Sequence, residues 1–171
     1  MKVHGSITMN GRDYSSGDEI PWTSVYPFFL VHMLGFGGSA FLMAYIGGIP
    51  VEMLYLQGGI ALLAYLVFYL AIFGRDEVKW MFINAGLGLF GIYSQIDWLL
   101  SLFGRRAADF PLYVHAIPMM YFVMYTFLIR HAVLDILSAR EDEAKQTRVQ
   151  YLYVGGSLLA YALAHFLESG R

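Results

Sequence analysis

Apolar positions in this chain come as long uncharged runs, without the strict alternation of a half-buried strand or the narrow stripe of a soluble amphipathic helix. No charged residue falls between Glu19 and Glu52, or between Glu52 and Arg75. Trp80 to Phe103 is broken only by Asn84, Gln95 and Asp97, and Phe110 to Ile129 is again free of charge. A hydrocarbon layer of ~30 Å takes about 20 helical residues, so these runs predict spans at 25–46, 53–73, 80–103, 111–137 and 149–167. Gly47-Gly48-Ile49-Pro50 leaves room only for a tight connection, and the charged groups Arg75-Asp76-Glu77-Lys79, Arg105-Arg106 and Arg140-Glu141-Asp142-Glu143 mark returns to water.

The first 23 residues read differently. Ser6-Ile7-Thr8-Met9 and Arg12-Asp13-Tyr14 flank Asn10-Gly11, the dipeptide that favours a two-residue hairpin because both turn positions need positive φ. Asp13, Asp18 and Glu19 in this segment do not fit a secretory leader, so the first apolar run is expected to stay as a span. The predicted fold is an all-α integral membrane protein. It has a bundle of about five transmembrane helices over 24–168 and a short N-terminal β-hairpin-like tail over 1–23.

Composition sharpens the membrane reading: 58% of residues are apolar and 14% charged, against about 25% charged in soluble domains. The net charge is -2 and no basic run exists to neutralise phosphates, which excludes nucleic acid as a partner. Cysteine is absent, which removes disulfides, thiolate metal sites and cysteine nucleophiles. With the N-terminus inside, eight Lys and Arg residues fall on the inner face and three on the outer. The positive-inside rule then predicts a cytoplasmic N-terminus and an outside C-terminus, in a bacterial-type inner (plasma) membrane.

Ionisable groups at membrane depth are expensive and are the natural site candidates. Counting 1.5 Å per residue puts Asp97, His115 and His165 within ~10 Å of the outer surface. A carboxylate with two imidazoles suits a transition metal with an open coordination position. Gln95 and Tyr113 lie at hand for hydrogen bonds, although Gln95 and Asp97 point about 200° apart on one helix. The competing reading pairs Asp97 with Arg105, Arg106 or a tyrosine hydroxyl and leaves the histidines satisfied locally.

His32 with His131 forms a second candidate, as axial ligands of haem b. His131 and Asp135 stand at the i, i+4 spacing that stabilises a helix end, and Arg130 suits a lipid phosphate or a partner. Ala40, Ala44 and Gly48, and again Gly156, Ala160 and Ala164, repeat small residues at one-turn spacing, as helix packing in lipid requires. The 13 Tyr and 13 Phe are spread along every span, as aromatic filler and interface belts would be.

No hydrolase triad, nucleotide loop or internal repeat stands out, so whether the chain is an enzyme stays open. The sequence points to a small polytopic protein acting as a non-catalytic subunit or accessory factor of a larger membrane assembly. Its partners are the lipid bilayer and a membrane protein or further copies of itself. The alternatives are a metal- or haem-binding membrane oxidoreductase and a homo-oligomeric proton or cation channel or carrier.

Overall fold

The computed structural model describes residues 1–140 and 142–169. For part of 153–169 the side chains, that of His165 among them, lie outside the described residues. In chain order, β1 is Ile7–Met9, β2 Arg12–Tyr14, α1 Trp22–Tyr45, α2 Val51–Phe73, α3 Arg75–Leu87, α4 Leu89–Ser101, α5 Leu112–Ile136 and α6 Glu143–Ser169. Two compact units divide the chain, Met1–Ile129 and Arg130–Arg171.

In the first unit the hairpin forms where Asn10-Gly11 predicts it. Strands β1 and β2 pair antiparallel, Ile7 opposite Tyr14 and Met9 opposite Arg12. Asn10 and Gly11 sit at φ 52° and 72°, the left-handed backbone that this turn demands. Two strands alone are marginal, and this pair is anchored. The amide of Val3 donates to Asp18 O and that of Ile20 to Met1 O, both at 2.9 Å, while Val3, Ile7 and Ile20 are buried. The amides of His4 and Gly5 both donate to the carbonyl of Ala71, at 2.7 and 2.9 Å. The last carbonyls of a helix have no intrahelical donor, so this segment caps α2 with its own backbone.

Three helices among the described residues are long and apolar enough to cross a membrane: α1, α2 and α5, with mean hydropathies of 1.5, 2.0 and 1.6. Helix α2 contains a π-turn at Leu54–Gly59, and α5 opens with a 3₁₀ turn at Leu112–His115. Pro118 therefore falls in the first turn of regular helix, where its missing N–H breaks no bond, and it marks a start and not a kink.

Residues 80–103 do not form one straight span. They lie in α3 and α4, each of 13 residues, with Gly88 between them at φ -92° and ψ 8°. Each helix covers about 20 Å, short of the ~30 Å core. Hydrogen bonds still run across the break, from Gly88 N to Asn84 O at 2.9 Å and from Ile92 N to Gly88 O at 3.0 Å. The cluster Arg75-Asp76-Glu77-Lys79 is also not a loop. It makes the first turn of α3, where Asp76 and Glu77 oppose the positive end of the helix dipole.

In the second unit α5 ends in a left-handed residue, Ser138 at φ 48°, with the Ala139 amide donating to Leu134 O at 2.8 Å. Asp142 accepts from Lys145 N at 3.1 Å and so caps the 27-residue α6. Leu134, Ala139 and Val149 form a small buried cluster around this turn.

Candidate functional site: a tyrosine–histidine staple and an apolar groove

At the end of the first unit away from the hairpin, the segment between α4 and α5 is tied to the helix ends by polar contacts. Tyr45, the last residue of α1, is buried and its hydroxyl lies 2.7 Å from Nδ1 of His115. His115 is only 1% exposed, and the Tyr93 ring meets it edge-on with centroids 5.5 Å apart. Arg105 donates from Nη1 to the carbonyl of Tyr45 at 2.6 Å, closing the C-terminus of α1 with a cation, which the helix dipole favours. Tyr55 donates to the carbonyl of Tyr113 at 2.7 Å, joining α2 to the start of α5.

Asp97 faces this end of the unit and accepts from the amide of Ala107 at 2.6 Å, while Gln95 on the same helix is exposed. The 200° separation on α4 is thus realised. The partner of Asp97 is a backbone amide, where the sequence offered Arg105, Arg106, a tyrosine hydroxyl or a metal. A carboxylate on a partly buried N–H is a strong hydrogen bond, and here it anchors a 3₁₀ turn at Ala107–Asp109.

Asp97 and His115 therefore share one end of the first unit, each with a partner of its own. Among the described residues no three His, Asp or Glu side chains are grouped to hold a metal ion. The third member of the expected trio, His165, lies outside the described side chains.

His32, proposed as a haem ligand, is exposed on α1. Its Nδ1 donates to Phe28 O at 2.8 Å and its ring stacks at 4.2 Å on that of Phe28. His131 belongs to the second unit, where it is buried, and neighbouring Arg130 is exposed. Asp135, expected to face His131, forms a bidentate ion pair with Arg140.

Small residues position the helices of the first unit only in part. Gly58, in the π-turn, lies so close to α5 that an added Cβ would come within 2.7 Å of Ile117 Cγ2, and 3.8 Å from Ala40 Cβ on α1. The hydroxyl of Tyr121 donates to Gly58 O at 3.2 Å. Below this contact Tyr69 is fully buried, its hydroxyl 3.0 Å from both Met124 O and Met33 Sδ. A Cβ at Gly35, Gly38, Gly86, Gly91 or Gly156 would meet nothing within 4 Å.

Between α1, α4 and α5 runs an apolar groove of about 220 Å³, with Met33, Gly38, Phe41, Leu99, Pro118 and Tyr125 among its walls. The sequence reading missed this groove and the Tyr45–His115 pair. The depth count that grouped Asp97 and His115 also carries Tyr45, since Tyr45 ends its span. The groove leaves no such signal, because its lining residues are far apart in sequence.

Comparison of the chain with protein-family models, with curated proteins and with solved structures finds no match.

Proposed function

We propose that this chain is a small polytopic membrane protein that works as a non-catalytic subunit or accessory factor of a larger membrane assembly. It would cross a bacterial-type inner membrane five times, with α3 and α4 as one kinked crossing and α6 as the last, its N-terminus cytoplasmic and its C-terminus outside. The observation that carries the reading is the pairing of open glycine faces with spent polar groups. Gly35 and Gly38 on α1 and Gly86 and Gly91 flanking the α3–α4 break have free space around them, and Leu87 and Phe90 beside that break are 83% and 90% exposed. In lipid, small residues matter because they let another helix approach closely, and these are not used inside the chain. Asp97, Arg105 and Tyr45 meanwhile hold backbone or neighbouring side chains, as structural groups do.

The test is to place Leu at Gly35 and at Gly91. The mass of the assembly extracted in mild detergent should fall while the melting temperature of the protein is kept. A wild-type protein that is monomeric in native nanodiscs, with both variants indistinguishable from it, contradicts the proposal.

The burial of His115 at the same end as Asp97 keeps a second reading in play, a metal- or haem-binding oxidoreductase or an Asp97-dependent proton or cation carrier. Metal content and a visible spectrum address the first, and liposome flux in Asp97→Asn the second. A colourless, metal-free protein with unchanged flux eliminates both.

A further inference from the structure

We infer that the groove between α1, α4 and α5 is a resident site for one acyl chain of an anionic phospholipid, whose headgroup is held at Arg106. The inference rests on the chain spanning a bilayer and is independent of its role as a subunit.

The groove follows the helix axis. On α1 it extends from Met33 to Phe41, which is about 12 Å at 1.5 Å per residue. One end lies in mid-helix, at Met33 and Tyr125. The other lies at Phe41 and Leu99, within a turn or so of the ends of α1 and α4. Its walls are aliphatic and aromatic. Tyr121, a polar residue among them, turns its hydroxyl away to Gly58 O. A slot with so little polar surface, along the hydrocarbon-spanning part of three helices, suits a slender apolar chain.

Gly38 opens the slot. It lines the groove, and a Cβ there would meet nothing within 4 Å. The missing side chain therefore leaves room for a ligand and is not required by a neighbouring helix of this chain.

Charge complementarity selects the headgroup. The shallow end of the groove leads to the segment after α4, where the Phe41 and Phe103 ring centroids are 6.3 Å apart and Arg105 and Arg106 follow. Arg105 is committed to Tyr45 O, while Arg106 is exposed. An exposed guanidinium at the mouth of an apolar slot near the membrane surface recognises a lipid phosphate by bidentate hydrogen bonding.

The experiment is native mass spectrometry of the full chain, purified in mild detergent and incubated with phosphatidylglycerol or phosphatidylcholine of identical chains. One phosphatidylglycerol per protein should be retained, in preference to phosphatidylcholine. Gly38→Leu, which fills the slot, should lower retention of both lipids about tenfold, and Gly38→Ala should lower it less. Arg106→Gln should abolish the preference between headgroups and leave chain binding. Equal retention in wild type and a folded Gly38→Leu overturns the site, as does a wild type without headgroup preference. Should Gly38→Leu fail to fold, Gly38→Ala decides on the same readout. A Gly35→Leu control, outside the groove, should keep its lipid even where it loses the assembly, so the two proposals fail separately.

Discussion

At Gly74 the backbone turns to φ 87° and the His4 ring covers the place a side chain would take, 2.9 Å from an added Cβ. One residue thus holds both the exit of α2 and the seat of the N-terminal segment, and only glycine meets both demands. Asp97 makes a comparable junction at the opposite end. Removing it leaves the Ala107 amide without its acceptor, so Asp97→Ala should destabilise the fold by about 1–3 kcal/mol in detergent unfolding. Asp97→Asn, which keeps an acceptor oxygen, should cost less. Equal losses in the two variants would mean that the charge and not the hydrogen bond carries the effect. Residues with one local rule were readable: Asn10-Gly11 gave the turn, and helical geometry separated Asp97 from Gln95. The actual partner of Asp97 was not readable, because a backbone amide ten positions away has no signature in residue type.

Among the elements, the uncharged runs set the limits of α1, α2 and α5 to within a few residues, since charge is what a hydrocarbon layer excludes most strongly. The same rule misplaced the start of α3. Arg75, Asp76, Glu77 and Lys79 are charged enough for a loop, yet they follow a chain-reversing glycine and form an acidic first helical turn. The π-turn at Leu54–Gly59 was likewise invisible. It is an outcome of packing, in which the extra residue brings Gly58 against Ile117 and Ala40. Ile117 is β-branched and stiff at χ1, so it cannot swing aside cheaply. Gly58→Val should therefore cost about 1–3 kcal/mol, read as a lower unfolding midpoint. Ile117→Ala in the same chain should restore part of the loss. Two independent, additive losses would show that the close approach is not what limits this position.

For the whole chain, greasy runs and clustered charge identify a mostly helical protein with membrane-crossing helices and an N-terminal hairpin. The hairpin segment is not a loose tail, because it spends backbone amides on the end of α2. The number of crossings depends on residues 75–101, where the Gly88 break gives two short helices in place of one long one. If α3 and α4 cross together, the connections at each end of them lie on opposite sides of the membrane. If they fold back, both connections lie on one side. The native chain has no cysteine, so single-cysteine accessibility gives a clean readout. Ser15→Cys, Ile49→Cys, Lys79→Cys and Ala108→Cys would be probed in intact cells with a membrane-impermeant maleimide. Positions 49 and 108 should label from outside, while 15 and 79 should label only after the membrane is opened. Labelling of positions 79 and 108 from the same side would contradict five crossings and the orientation built on them.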